Sequence, residues 1–324
     1  MSFSISVAMC THNGGRFLPE QLASIAAQDR LPDQLVVCDD GSTDNTHEIV
    51  KEFARRSAFT TSLIVNDHRL GSTKNFEKAI SLCQGDIVAL ADQDDVWYSY
   101  KLKAIETALL DSGAAVGAFS DANLIDDNSR LLPGHLWEAF SFDSEQQRRF
   151  ASPRALEVLV KHPVVTGATM AFRRELFKIL APIPSNHIHD RWISFLLATR
   201  GCVIAIPQSL MKYRCHSGQQ EGLPPQSRSE LISQARTRQP GFHLEEIEQF
   251  HTLYERIKLR EADFPHAQHA LEEIESKISH LSRRSKLPQQ RLARIPLILR
   301  ESFNLGYWRY SAGWNSIARD LIIR

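Results

Sequence analysis

Residues 86–97, DIVALADQDDVW, run an unbroken apolar segment straight into three carboxylates, Asp92, Asp94 and Asp95. A short apolar run announced by a turn signal, here Gln84-Gly85, predicts a strand buried on both faces of a parallel sheet. The carboxylates then sit at the carboxyl end of that strand. In open α/β sheets that edge is where ligands bind, so this one stretch constrains both the fold and the site. Three acids so close together repel one another unless positive charge joins them, and a hard divalent cation with oxygen ligands is the economical partner.

The sequence on either side agrees with such a sheet. Residues 4–9 (SISVAM) predict a first strand, followed by the loop THNGG and a helix with Leu18, Leu22, Ile25 and Ala26 on one face. Residues 34–38 predict a second strand running into Asp39-Asp40-Gly41-Ser42, and cap-type residues from Thr43 precede a helical stripe of Ile49, Val50 and Phe53. Residues 62–65 predict a third strand. Phe76, Ile80 and Cys83 mark the inner face of the next helix, with Gly85 as its stop. Strand and helix alternate, so the expected fold class is α/β, a mostly parallel sheet flanked by helices. The polar clusters at 11–13, 39–40 and 92–95 all follow strands and converge on one edge.

Beyond the acidic run, Leu102, Ile105 and Leu109 predict a helix and residues 115–119 a strand, whereas residues 121–160 show no clean period. Residues 164–172 (VVTGATMAF) predict a strand in which Gly167 allows close backbone approach. His189-Asp190-Arg191-Trp192 opens a helix stopped by Gly201, and two strands follow at 202–206 and 209–215, ending at His216.

Composition changes past Gly222. The segment PPQSRS at 224–229 is expected to be a hinge between a catalytic domain, residues 1–222, and a helical extension, residues 223–324. In the extension, Ile247, Phe250, Tyr254 and Ile257, then Leu271, Ile274, Ile278 and Leu281, predict a helical hairpin broken near Pro265. From Arg283 onward, basic residues alternate with Leu292, Ile295, Leu297, Ile298, Leu299, Phe303, Tyr307 and Trp308. That pattern suits a surface helix on an anionic membrane and equally a helix packed on the catalytic domain.

Lys+Arg and Asp+Glu both total 38, so no global field selects nucleic acid as a partner. Five scattered cysteines without a C-x-x-C pair read as buried thiols in a reducing cytoplasm. No signal peptide or membrane-spanning run is expected. The expected location is therefore cytoplasmic, with the basic tail as a candidate for peripheral attachment to the inner face of the membrane.

Taken in order, THNGG, DDGSTDNT, LADQDDVW, TGATMAF, HDRW and YRCHSGQQ resemble glycosyltransferase family 2, inverting enzymes of the GT-A fold. DQDDVW with HDRW and Y-R-x-H is most similar to the rhamnosyltransferase-like branch that builds bacterial O-antigen and cell-wall polysaccharide. The resemblance covers roughly residues 3–220 and rests on six motifs in register. It implies a nucleotide-diphosphate sugar donor, a glycan or lipid-linked acceptor, and a divalent cation, Mn2+ or Mg2+. By the same resemblance Thr11 and Asn13 frame the nucleotide, Asp40 with Asp39 binds the base or ribose, and Lys74 reaches the base or diphosphate. Asp92 and Asp94 hold the sugar nucleotide and the metal, His216 joins the metal or diphosphate, Gly167 and Trp192 line the substrate site, and Asp190 is the general base. One departure stands out: many relatives carry Glu-Asp where this chain has His189-Asp190.

The residues by themselves favour the same chemistry. A nucleoside diphosphate leaves readily only when its developing charge is neutralised, and without a Walker loop a cation at Asp94 is the natural means. Inversion needs a base on a separate element, which Asp190 supplies. The rivals are a haloacid-dehalogenase-like phosphatase reading DQDDV as D-x-D-x-V, and a sugar nucleotidyltransferase, for which the expected glycine loop is missing. A dehydrogenase is disfavoured by the missing G-x-G-x-x-G. Blander roles are a turn and helix cap for residues 39–42, an N-cap for Asp190, loop residues for His12 and His216, and core or pocket wall for Trp97 and Trp192.

Overall fold

The computed structural model describes residues 2–150, 152–216, 218–219 and 242–322. The strands are β1 (Ile5–Thr11), β2 (Gln34–Asp39), β3 (Thr60–Val65), β4 (Ile87–Ala91), β5 (Val96–Trp97), β6 (Gly117–Ile125), β7 (Leu131–His135), β8 (Met170–Arg173) and β9 (Val203–Arg214). They form one sheet in the order β3-β2-β1-β4-β8-β6-β9-β5, with β7 paired to β6 off this path. Helices α1 (Leu18–Ala26), α2 (Thr46–Arg56), α3 (Ser72–Leu82) and α4 (Lys101–Asp111) connect the early strands.

Strands β1 to β4 pair in parallel, as the alternation predicts. The chain moves outward from β1 through β2 to β3, then returns across β1 to β4. This reversal opens a crevice at the carboxyl ends of β1 and β4, the place where such sheets bind ligands. Every residue of β4 is buried, which explains its unbroken apolar sequence.

Beyond β4 the parallel expectation is corrected, because β8 lies antiparallel to both β4 and β6. The strand expected at 164–172 shortens to Met170–Arg173, preceded by a 3-10 turn over Gly167–Thr169. The two strands expected at 202–206 and 209–215 are one strand, β9, parallel to β6. Its register steps from Ser120↔Ile206 to Asp121↔Ser209, so Pro207 falls where the ladder skips. A residue without an N–H is tolerated at such a bulge, and the proline that looked like a strand end is an irregularity inside one.

The stretch without a clean period, 121–160, holds the end of β6, β7, and short helices at Leu136–Ala139, Ser144–Phe150 and Ala155–Leu159. Phe119 on β6 anchors it, with ring centroids 5.5 Å from Trp137 and 5.0 Å from Phe150. These elements are too short to leave a readable helical period.

The helix His189–Arg200 begins at the HDRW motif and is buried along most of its length, with Gly201 after it. Helices Phe242–Leu259 and Ala267–Ser285 form the hairpin expected around Pro265, and the hinge expected at 224–229 lies outside the described residues. Leu253, Ile257, Phe264 and Ile274 share one continuous core with Phe76, Phe172 and Trp192. Arg256 reinforces this junction by donating to the carbonyls of Ile179, Leu180, Ala181 and Pro182, while its guanidinium lies 4.9 Å from the Trp192 ring centroid. Because Ile274 is fully buried in that shared core, Ile274→Ala is expected to destabilise the chain by about 2–5 kcal/mol. Urea unfolding followed by circular dichroism is expected to show one transition at a lower midpoint, whereas loss of the hairpin alone would separate two.

Candidate active site

The crevice is assembled from the ends of four strands and the start of one helix. Residues 11–13 follow β1, 39–40 end β2, 92–95 follow β4, and 214–216 close β9. Asp190 lies in the first turn of the His189–Arg200 helix, where a carboxylate suits the helix dipole. The β1 and β4 loops are tied together: His12 N–H donates to Gln93 Oε1 at 2.9 Å, and Gln93 Nε2 returns a bond to the His12 carbonyl at 3.1 Å. His12 also meets the Asp40 carbonyl through Nδ1 at 3.0 Å, which brings the β2 loop to the same edge.

At the centre are the carboxylates that follow β4. Burial raises Asp92 to about 7, and the neighbouring charges of Asp94 and Asp190 add to the rise. Asp190 thus acts on Asp92 across the crevice although almost a hundred positions separate them in sequence. Asp95 is 1% exposed and pushed well above the usual carboxylate range by burial, then by Asp94 and Asp92. Its Oδ1 accepts the Arg214 N–H at 3.0 Å, while its buried Oδ2 has no hydrogen-bond partner. Asp94 Oδ2 lies 2.8 Å from His216 Nε2.

Sequence reasoning passed over two cations that hold this cluster. Lys101, fully buried at the start of α4, feels the charges of Asp95 and Asp92, and burial brings it down to about 7. Its Nζ donates to the Ala168 carbonyl at 2.6 Å and sits 4.0 Å from the Trp97 ring centroid. Lys101 therefore links the acidic run to the turn that carries Gly167. The signal was present, since a lysine six residues beyond Asp95 begins a helix, where the macrodipole disfavours a cation unless anions are close. Arg214 is also fully buried and donates to the Asp94 carbonyl at 2.6 Å and to Glu20 Oε2 at 2.6 Å. It lay inside a motif already singled out, Y-R-x-H, without a role.

Other expected site residues fall differently. The Asp39 carboxylate is fully buried and accepts from Thr11 Oγ1, from the Ser42 N–H and Oγ, and from His47. Burial works to raise its pKa, but the bonds from Ser42, His47 and Thr11 outweigh it and hold the carboxyl below its ordinary value. With its acceptor positions filled, Asp39 braces the loop and does not offer itself to a ligand, and Thr11, 2% exposed, is its donor. Their side-chain oxygens are thus committed to each other and to the loop rather than open toward a nucleotide. Asp40 accepts from Asn66 and from the Leu70 and Gly71 N–H groups, which fixes the loop before α3. Asn13 is exposed in the left-handed region at φ 49° and accepts the Thr43 N–H. Lys74 is half-buried and pairs with Glu77 at 2.8 Å.

Trp192 takes the blander of its two readings: it is fully buried, donates to the Leu180 carbonyl at 2.7 Å, and lies in the core. Its position i+2 from Asp190 turns it to the inner face of the helix. Gly167 is buried, and its N–H donates to Asp190 Oδ2 at 3.0 Å. A Cβ there would stand 2.6 Å from His189 Nε2, so the glycine is required by the closeness of the helix start. His189 stacks on Phe76 at 4.0 Å, and burial keeps its imidazole below its usual pKa.

A divalent cation fits this donor set. Crowded carboxylates whose pKa values rise are short of positive charge, and Asp94 with His216 presents an oxygen and a nitrogen donor at the crevice. Among the described residues no group of three or more His, Cys, Asp or Glu side chains forms a metal cage. Two protein donors with the remaining positions left to phosphate oxygens and water is the usual arrangement for Mg2+ on a nucleotide.

The family profile described as Glycosyl transferase family 2 matches residues 6–180. Among curated proteins, an uncharacterised glycosyltransferase of Nostoc sp. is 25% identical over 223 residues, 65% of this chain and 65% of its own length. The dTDP-rhamnosyl transferase RfbG of Shigella flexneri is 35% identical over 99 residues, 29% of this chain and 34% of that protein. The match spans less than two thirds of each relative's length. In fold the chain is similar to the mannosyltransferase PcManGT from Pyrobaculum calidifontis, solved with GDP-Man and Mn2+. The TM-score is 0.55 at 19% identity over 94% of this chain and 76% of that one. It is also similar to S. aureus TarS residues 1–349 solved with UDP-GlcNAc, with a TM-score of 0.52, 18% identity, and 94% and 92% coverage. The architecture is thus the GT-A type, a mixed sheet flanked by helices with helices appended at the carboxyl end.

Removing the Lys101 charge leaves Asp92 and Asp95 without their buried counter-ion. Lys101→Met is therefore expected to lower stability by about 3–5 kcal/mol, read as a fall in the denaturation midpoint. An unchanged midpoint would show that the acids do not rely on this lysine.

Proposed function

Because the chain belongs to glycosyl transferase family 2, we propose that it is an inverting, divalent-cation-dependent glycosyltransferase acting at the cytoplasmic face of the membrane. It moves a sugar, with rhamnose the first candidate, from a nucleotide-diphosphate donor to a glycan or lipid-linked acceptor of a bacterial surface polysaccharide. In this reading residues 1–222 carry catalysis and residues 223–324 form the extension.

The observation that carries the reading is the pair of bonds that brings Asp190 to the acidic loop: the Gly167 N–H donates to Asp190 Oδ2 at 3.0 Å, and the adjoining Ala168 carbonyl accepts from Lys101, which lies beside Asp92 and Asp95. One acidic group belongs to the diphosphate side and the other to a separate helix, the division of labour that inversion requires. Asp94 and His216 hold the cation, Mn2+ or Mg2+, and Asp92 binds the donor sugar nucleotide beside it. The cation supplies Lewis-acid neutralisation of the departing diphosphate. Asp190 accepts the proton of the acceptor hydroxyl as that oxygen attacks the anomeric carbon. The Gly167 N–H, bonded to Asp190 Oδ2, fixes the carboxylate's orientation and leaves Oδ1 for that proton. Asn13 and Lys74 bound the nucleotide side, and Asp40 shapes it through the 66–71 loop. Lys101 and Arg214 keep the acidic loop from springing apart between turnovers.

The phosphatase and nucleotidyltransferase readings lose their footing because the family match spans the whole DQDD stretch. Similarity to RfbG supports a rhamnosyl donor. The E. coli WfgD, named as a UDP-Glc:alpha-D-GlcNAc-diphosphoundecaprenol beta-1,3-glucosyltransferase and 27% identical over 127 residues, supports a lipid-linked acceptor.

Asp190→Asn is expected to retain sugar-nucleotide binding while turnover falls by about 10² to 10⁴. Near-normal turnover by this variant would remove Asp190 from the role of base. In a thermal-shift panel of sugar nucleotides, the true donor is expected to stabilise the chain in the presence of Mn2+, by about 2.7 kcal/mol at a hundredfold excess over Kd. Asp94→Asn is expected to abolish the Mn2+-dependent part of that stabilisation.

A further inference from the structure

The helix Arg291–Phe303 is built inside out. Its inward stripe is Arg294, Ile298 and Glu301, at 4%, 3% and 4% exposure, so two of its three buried side chains are charged. Its opposite face is apolar: Leu292, Leu299 and Phe303 are exposed by 82%, 52% and 85%. With Pro296 these residues follow a four-three-four spacing, which aligns them on a single helical face. Ile295 flanks that face at 40% exposure, and Leu305 just beyond the helix is 57% exposed. An ordinary surface helix turns its apolar stripe inward, so this one has been folded to present it outward.

The neighbouring helix, Trp314–Ile322, repeats the arrangement. It buries Ser316, Ile317 and Asp320, and exposes Trp314 by 73% and Ile322 by 62%. The inward charges of both helices are satisfied locally. Arg294 donates to the carbonyls of Pro288, Gln289 and Asp320, and Glu301 accepts from Arg283 and meets His280. Arg284 and Tyr307 donate to Asp320. These bonds anchor the polar side so that the apolar side stays out.

The charge around this face has one sign. Between residues 286 and 322 the acidic side chains are Glu301 and Asp320, both buried, while Lys286, Arg291 and Arg300 are exposed. A second copy of the same face would set these cations against each other. An anionic lipid surface complements both the apolar residues and their basic rim. Among the described residues no helix is long and apolar enough to cross a membrane.

We propose that the Arg291–Phe303 helix lies in the headgroup layer of an anionic bilayer, inserting Leu292, Leu299 and Phe303, with Trp314 beside them and Arg291 and Arg300 on lipid phosphates. This docking surface does not rest on the glycosyl-transfer reading, and its test reads no turnover. The full chain is sedimented with vesicles of phosphatidylcholine alone and of phosphatidylcholine with phosphatidylglycerol. It is expected to pellet with the mixed vesicles and to be released by salt. Leu292→Ser with Phe303→Ser is expected to weaken that binding by about tenfold or more, with an unchanged melting midpoint because both side chains are exposed. Arg291→Gln with Arg300→Gln provides a second variant that leaves the apolar face intact and is expected to lower binding to the anionic vesicles selectively. Failure of the parent chain to pellet with either vesicle, or binding by both double variants equal to that of the parent, overturns the proposal. A dimer in solution that the Leu292/Phe303 variant dissolves, without vesicle binding by the parent, would overturn it in favour of a second copy.

Discussion

The mutual repulsion of the carboxylates after β4 is the constraint around which the molecule is arranged. Asp92 and Asp95 are driven toward their protonated forms by burial and then by the neighbouring charge of Asp94, which is costly unless cations are close. The fold brings up two, one from the next helix and one from a distant strand. Helix α4 begins with Lys101 underneath the acidic run, and β9 delivers Arg214 across its mouth. The Asp94 carboxylate itself meets His216. Lys101 and Arg214 brace the loop, and in the proposed function a cation and a diphosphate enter beside Asp94.

That arrangement depends on elements the acidic loop does not contain. His216 and Arg214 reach it because β9 pairs with β5, with Val96 opposite Lys212 and Trp97 opposite Met211. Asp190 reaches it because Gly167 has no side chain to hold the helix start away. The helix in turn is fixed from behind, where Trp192 is buried and Arg256 from the carboxyl-terminal hairpin ties down the carbonyls of 179–182. The hairpin is therefore part of the scaffold that aims the presumed base. The last helices then invert the usual polarity of a surface helix, burying paired charges and leaving leucines and aromatics outside.

Much of this was written in local patterns. The burial of β4 on both faces is visible as IVALA, the hairpin as two apolar stripes around Pro265, and the helix at 189 as a motif with a terminal glycine. What local pattern could not give was direction and occupancy. Periodicity is the same for a parallel and an antiparallel neighbour, so the reversal at β8 was invisible, and Pro207 reads as a strand end unless the partner's register is known. Trp192 follows a site residue in sequence yet points to the core, because two steps along a helix change the face. Asp39 has the right chemistry for a ligand but spends it on Ser42, His47 and Thr11.

The sequence by itself determined the sheet's parallel half, the edge on which the acids gather, and the family to which they belong. Each of these follows from short-range order: which residue type stands next to which, and at what period. Only the tertiary structure decided which of those acids remain open to a ligand, which cations sit beneath them, and which side of the final helices meets solvent. Charge compensation and side-chain saturation are set by neighbours in space, and several of these, such as Arg214 and His216 beside Asp94, come from parts of the chain that no local window joins.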